Sequence, residues 1–172
     1  MANNYLQFSE VLPQLTVEER DWLQNQLEYV SLDDEGKEIP ADQPIEDAKD
    51  AAFQGPRFLS DYEDYEGDES CGFDHKFDTD ADWGEHLWIY TEESGSPDRV
   101  AWLIQKFLKR FRSESCWWLT YATTCSKMRP SEFGGGGVFV TAEEIFWENA
   151  YSFVEQHRAE WTKTHPQPPS KE

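Results

Sequence analysis

The chain has 172 residues, a formal net charge of −20 and 38% apolar residues, with eight Trp, seven Tyr and 11 Phe among its aromatic side chains. This length suffices for one domain with a hydrophobic core and is short for two, and the large aromatic side chains weigh against a disordered chain. Residues 33–93 hold 21 of the 35 acidic side chains and four of the 15 basic ones, a charge that excludes direct binding to nucleic acid or anionic membranes and favours basic protein partners.

The first predicted element is a helix over residues 17–30. Thr16 and Glu19 have the spacing of a capping box, in which each side chain bonds the backbone N–H of the other. Leu23 and Leu27 then recur at helical spacing on one face.

An acidic loop and a hairpin are predicted next. Residues 31–57 contain three prolines, many charges and few large apolar side chains, which predicts an exposed, mobile loop. Residues 58–70 alternate acids with aromatics and show no clear period. Residues 71–77 and 86–91 have the composition of two hairpin strands, and the second, rich in Ile and aromatics, is the stronger strand.

A second helix is predicted to begin at Pro97. Ser96 offers an N-cap hydroxyl, Pro97 suits the first helical position, and apolar residues from Val100 to Phe111 follow the helical period. The remaining predicted elements are a strand over 116–124, a loop over 125–137, a strand over 138–141, an ambiguous helix or strand over 142–147, a helix from 148 to about 162, and a frayed tail over 163–172.

These elements predict a single α+β domain over residues 1–172. We expect a small antiparallel or mixed sheet of four to five strands, with three helices mainly on one of its faces, because short connections favour antiparallel neighbours. The sequence has no stretch of about 18 apolar residues, and we expect no signal peptide because its first residues lack a basic region and an apolar stretch. Three cysteines without framework spacing indicate reduced thiols, so we expect a cytoplasmic protein.

The acids of the central segment are the predicted partner-binding residues. Together they could form one continuous negative surface that binds a basic protein, in the sharper form as a nucleic-acid mimic or inhibitor. An extended chain with an acid at every third residue places one charge per ~10 Å, whereas duplex DNA has one per ~1.7 Å, so mimicry requires folding to gather several segments. The predicted residues are Asp61, Glu63, Asp64, Glu66, Asp68, Glu69, Asp78, Asp80 and Asp82.

The alternative function is a small-anion or metal-binding domain. Four consecutive glycines, Gly134 to Gly137, could let backbone N–H groups approach an anion, with Lys127 and Arg129 upstream. The Gly-Lys-Ser/Thr pattern of a phosphate loop is absent. A flexible connection between two hairpin strands would account for the same glycine-rich sequence. The glycines assigned to this alternative site are Gly134, Gly135 and Gly136.

The sequence patterns for a metal site or a catalytic nucleophile are weaker than those for the two functions above. Asp78, Asp80 and Asp82 could converge on calcium, but the positions that need Gly and Glu in an EF-hand loop hold Trp83 and Ile89. Acidic hairpin turns explain the same spacing. Zinc ligation by Cys71, His75 and His86 lacks a Cys-x-x-Cys pair, and nucleophilic catalysis by Cys125 lacks a histidine motif. We therefore predict no cofactor and no catalytic residue.

The adjacent tryptophans Trp117 and Trp118 must point to opposite faces of their strand. At most one of them can therefore face the main core, and the other is a predicted interface anchor. Core packing is the ordinary role of the other strand tryptophans, Trp83, Trp88 and Trp147.

Three segments resemble a family of small acidic bacterial proteins often found on plasmids and other mobile elements. They are LWIY with its following acids (residues 87–93), the helix from Pro97, and CSK-x-R followed by EFGGG and VFVTA (residues 125–142). The resemblance covers roughly residues 86–160. No activity is known for the family, so it implies no catalytic residue, and by analogy it favours an inhibitor or accessory protein.

Overall fold

The structure is a computed structural model that describes residues 4–40, 52–62, 70–127 and 132–164. A short 3-10 helix, Arg57–Leu59, follows the third strand. The strands are β1 (Asn4–Leu12), β2 (Tyr29–Leu32), β3 (Phe53–Pro56), β4 (Asp74–Asp80), β5 (Gly84–Thr91), β6 (Cys116–Cys125), β7 (Gly134–Thr141) and β8 (Ile145–Asn149), and the helices are α1 (Val17–Leu27), α2 (Pro97–Phe111) and α3 (Ala150–Thr164).

Six strands form one sheet in the order β4-β5-β1-β6-β7-β8, and β2 pairs with β3 in a separate hairpin. All strand pairs of the described residues are antiparallel. The α+β class with three helices is thus confirmed, whereas the predicted count of four to five strands is wrong for this sheet.

Within the six-stranded sheet, the sequence analysis did not predict β1, which lies between β5 and β6. Phe8 and Leu12 are buried, but Glu10 stands between them, so the alternation of apolar and polar residues is broken. Interruption of the period-2 pattern hides a strand from sequence analysis.

The predicted helix over 17–30 is too long at its C-terminal end. Its capping box is confirmed, since the Thr16 hydroxyl accepts from the Glu19 N–H at 3.2 Å and a Glu19 carboxylate oxygen accepts from the Thr16 N–H at 2.8 Å. The helix ends at Leu27, because Tyr29 and Val30 start strand β2.

The ends of the predicted acidic loop over 31–57 are ordered, which corrects that prediction. Residues 29–32 pair with residues 53–56, and the Asp33 carboxylate accepts from the N–H groups of Glu35 and Lys37 in the turn that follows β2. Residues 41–51 of the predicted loop lie outside the described residues.

Helix α2 carries the core, as its apolar stripe predicts. It packs against β6 and β7 on one face of the sheet, and α1 packs on α2 through Trp22, which contacts Phe107 and Phe111. Pro97 occupies the first turn as predicted, but the Ser96 side chain makes no capping bond. The fully buried residues of α2 include Val100, Leu103, Ile104, Phe107 and Leu108.

The predicted hairpin of β4 and β5 and the strand of β6 are present. The hairpin strands are Asp74–Asp80 and Gly84–Thr91 rather than 71–77 and 86–91, so the turn between them is shorter than predicted. The predicted loop over 125–137 is wrong for its last four residues, because Gly134 to Gly137 belong to β7 and pair with β6. The ambiguous region over 142–147 ends in a strand, β8, and α3 begins at Ala150.

The space around Gly136 is too crowded for a side chain, which explains why this position of the strand holds glycine. A Cβ at Gly136 would lie 2.4 Å from the carbonyl oxygen of Glu148 and 2.6 Å from the hydroxyl of Tyr121, whereas a Cβ at Gly137 would meet nothing closer than 3.4 Å. We predict that Gly136→Ala lowers the free energy of unfolding by about 1–3 kcal/mol.

The neighbouring variant, Gly137→Ala, serves as the control and should stay within about 1 kcal/mol of the wild type. Urea unfolding followed by tryptophan fluorescence measures both. Equal stability of the two variants would contradict the crowding of Gly136 between β6 and β8.

Candidate functional site

The two faces of the six-stranded sheet differ in what covers them. Side chains that point toward α2 are buried, and Leu87, Ile89 and Leu119 are examples. Their strand neighbours point the other way, onto what we call the open face. The pair Trp117 and Trp118 shows the difference most clearly, with 6% and 58% of the side chain exposed, respectively. The prediction that only one of them faces the core is confirmed.

Exposed aromatic residues form a row across the open face. Trp118 of β6 pairs with Phe139 of β7, which pairs with Phe146 of β8. Trp88 of β5 lies on the same face and pairs with Val11 of β1. We call Trp88, Trp118, Phe139 and Phe146 the aromatic row. Strands β6, β7 and β8 lie about 4.8 Å apart, so the three members of the row on these strands extend over roughly 10 Å.

Contacts within the open face restrict the orientation of these rings. The rings of Trp88 and Tyr90 stack with centroids 4.1 Å apart, and the indole Nε1–H of Trp88 donates to the Ser9 hydroxyl at 2.9 Å. Phe139 and Phe146 lie 6.3 Å apart in a tilted contact. Rings that are held in place lose little conformational entropy when a partner covers them.

Carboxylates flank the aromatic row at the edge strand β4. Asp74, Asp78 and Asp80 alternate along the strand and therefore share the open face. Lys76, between them, pairs with Asp78, and this bond lowers the pKa of Asp78 and raises that of Lys76. Both groups stay charged at neutral pH, and the edge keeps a negative excess.

The predicted partner-binding acids are not all brought together. Asp61 pairs with Lys106 of α2 at 2.6 Å and so lies on the helix side of the sheet, away from Asp78 and Asp80. The Asp80 carboxylate accepts from the N–H groups of Asp82 and Trp83 and fixes the turn after β4. Five predicted acids lie outside the described residues: Glu63, Asp64, Glu66, Asp68 and Glu69.

The alternative anion site is not assembled in the described part of the chain. Gly136 and Gly137 lie between β6 and β8 and pair with both strands, so ladder bonds use their backbone groups. Lys127 is exposed, and Arg129 lies outside the described residues. Gly134 and Gly135 also lie in β7 and pair with β6.

Metal and nucleophile candidates are likewise separated. Within residues 4–40, 52–62, 70–127 and 132–164, no group of three or more His, Cys, Asp or Glu side chains is placed to hold a metal ion. This includes the calcium set of Asp78, Asp80 and Asp82 and the zinc set of Cys71, His75 and His86.

The three cysteines are free thiols. Cys116 and Cys125 lie at opposite ends of β6, the first exposed and the second buried. The Cys125 thiol donates to the Glu132 carboxylate at 2.9 Å. Burial raises the pKa of the Cys71 thiol, so it is a weaker nucleophile than an exposed one.

Comparison with protein-family models gave no match, and comparisons with curated proteins and with solved structures gave none either. In the described part of the chain, no helix has both the length and the apolar character needed to span a membrane.

Proposed function

We propose that this chain is a non-enzymatic interaction protein that binds a basic protein, of the kind that handles nucleic acid, through the open face of its sheet. The observation that carries the proposal is the exposed aromatic row bordered by the carboxylates of β4. Contiguous exposed apolar surface with a polar border is typical of protein interfaces.

The aromatic row supplies the affinity in this proposal. Trp and Tyr are the residue types most enriched among those whose removal weakens binding, and Trp118 is the most exposed of the row. Its neighbours Phe139 and Phe146 extend the apolar contact toward the sheet edge.

In this proposal the carboxylates of β4 select for a basic partner and steer it toward the open face. Alternate residues on a strand are ~7 Å apart, so β4 carries charge at a much lower density than duplex DNA, with one charge per ~1.7 Å. Charge on β4 therefore complements lysine and arginine at the border of the interface rather than reproducing a nucleic-acid backbone. With a net charge of −20, the chain also accelerates encounter with a basic protein.

The proposal predicts that the chain, immobilised, captures a basic protein from an extract of its native host and that the complex weakens as salt rises. Screening shortens the reach of exposed charges to ~8 Å at physiological ionic strength. A bait with Asp74→Asn and Asp80→Asn should capture less and show a flatter salt dependence.

The matched control bait carries Glu155→Gln and Glu160→Gln, which remove the same number of charges from α3. It should behave like the wild type. Capture of acidic proteins only, or equal loss with both double variants, would contradict the role of the β4 edge.

A further inference from the structure

The six-stranded sheet is split between β1 and β6. Their pairing ends at Phe8 with Tyr121, yet β1 stays paired with β5 as far as Leu12 and β6 stays paired with β7 as far as Cys116. Residues 9–12 and 116–120 therefore lie beside each other without a ladder. We call the space between them the cleft.

A side-chain bond bridges the cleft where the ladder is missing. The indole Nε1–H of Trp117 donates to the carbonyl oxygen of Val11 at 3.1 Å. The Glu10 carboxylate lies beside Thr120 of β6, which lowers the pKa of Glu10 against the larger effect of burial. The Trp117 bond fixes β6 to β1 beside the cleft.

The cleft has a volume of about 470 Å³, within the range of small-ligand pockets of about 300–1,000 Å³. Three indole side chains line it: Trp83 from the turn between β4 and β5, Trp117 and Trp118. Trp83 and Trp118 are about half exposed, so their rings are accessible to a molecule that enters the cleft. Leu108 of α2 and Arg112, the residue after that helix, also line it, so the cleft reaches from the open face between β1 and β6 to the helix side, where Glu10 lies between Phe8 and Leu12.

The charge inside the cleft is negative. Arg112 also lines it, but the guanidinium forms two bonds with the Glu19 carboxylate, at 2.7 and 3.0 Å, and donates to the carbonyl oxygens of Pro13 and Gln14. Burial raises the pKa of Glu10, and no cation among the described residues offsets that effect. Glu10 is thus a carboxylate without a cationic partner among the residues that the structure describes.

We propose that the cleft binds an arginine side chain of the basic partner, with its guanidinium on the indole rings and paired with Glu10. This inference rests on the proposed function, because it assigns one residue type of the partner to one place on the open face. A guanidinium is planar, stacks on aromatic faces and bonds a carboxylate through two N–H groups. An ammonium group can lie over an indole ring, but it is not planar and cannot form the paired bonds to a carboxylate.

The test uses N-acetyl-L-arginine methylamide as the probe and the citrulline analogue, which is neutral and nearly isosteric, as its control. Indole N–H resonances of the ¹⁵N-labelled protein report binding. We expect saturable shifts at Trp83 and Trp118 with the arginine probe, and at least tenfold weaker binding of the citrulline probe.

Glu10→Gln keeps the size and polarity of the side chain and removes its charge, so it should weaken binding of the arginine probe at least tenfold. Glu160→Gln on α3 is the matched control and should not. In the wild type, binding should also be lost as pH falls through the raised pKa of Glu10, at a higher pH than for an exposed glutamate with a pKa of 4.5.

Equal binding of both probes, absence of saturable shifts, or full binding by Glu10→Gln would overturn the cleft assignment. These outcomes differ from failure of the proposed function. If the arginine probe binds while no basic protein is captured, the proposed function fails and the cleft stands. If a basic partner binds Glu10→Gln as tightly as the wild type, only the cleft assignment fails.

Discussion

Phe107→Ala is expected to lower the free energy of unfolding by about 3–5 kcal/mol. The Phe107 ring is fully buried, lies 5.5 Å from the ring of Phe111 and 6.2 Å from that of Trp22, and so joins α1 to α2. Truncation removes apolar surface from the core and leaves a cavity that the surrounding helices only partly fill.

That loss is a large share of the 5–15 kcal/mol that stabilises a typical domain. Urea unfolding monitored by tryptophan fluorescence measures it. Phe153→Ala in α3 is the control, because 55% of that side chain is exposed, and it should change stability by less than about 0.5 kcal/mol. Similar effects of the two substitutions would show that Phe107 is not part of the core.

Arg112→Ala is expected to lower the free energy of unfolding by about 3 kcal/mol, the range found when one partner of a buried ion pair is removed. The guanidinium bonds the buried Glu19 carboxylate and the carbonyl oxygens of Pro13 and Gln14. Alanine at position 112 leaves these acceptors without their donors and detaches the end of α2 from the start of α1.

The effect of Arg112→Ala should depend on pH. The hydrogen bond from Arg112 lowers the pKa of Glu19 below its ordinary value of 4.5, so the stabilisation is present above that value and is lost as pH falls through the lowered pKa. Unfolding curves at neutral and acidic pH should show a large difference between wild type and variant that shrinks on acidification.

Arg158→Ala is the matched control for Arg112→Ala. Arg158 pairs with Glu155 on exposed α3, and exposed helical pairs contribute ~0.3–0.5 kcal/mol. A loss for Arg112→Ala as small as this, or a loss that does not change with pH, would contradict the buried role of the Arg112–Glu19 pair.

The sequence predicted those elements whose local pattern of side chains matches the backbone structure that they adopt. Thr16 and Glu19 stand at capping-box spacing, and the apolar stripe of α2 from Val100 to Phe111 matches one face of a helix, so both helix starts follow from the chain alone. Strand β1 did not, because Glu10 interrupts its apolar face. Glu10 lines the cleft, a feature that arises only when β1 and β6 come together in the folded sheet.

Glycines misled the analysis for a related reason. Glycine is disfavoured in strands by its intrinsic preference, so residues 134–137 were predicted as loop. Position 136 of β7 holds glycine because the Tyr121 side chain and the Glu148 carbonyl fill the space that a side chain would need. Tertiary crowding of this kind comes from other strands and is not visible in a local sequence pattern.

The open face was predictable in part. The alternation of a strand predicts that Trp117 and Trp118 separate, but it does not say which of them is exposed. The alignment of Trp118 with Phe139 and Phe146 depends on the register of three strands, which requires coordinates. The sequence carries a partial signal for this face, since Trp118 and Phe139 each stand between two apolar residues that are buried.

Binding of the captured partner to a Trp118→Ser variant tests the central claim, that the open face is the binding surface. Trp161→Ser on α3 is matched in residue type and in exposure, 59% against 58% for Trp118. Isothermal titration calorimetry with the purified partner should show at least a 30-fold loss of affinity for Trp118→Ser, the size of a ~2 kcal/mol hot spot, and no loss for Trp161→Ser. Unchanged affinity of Trp118→Ser, or an equal loss in both variants, would contradict the claim.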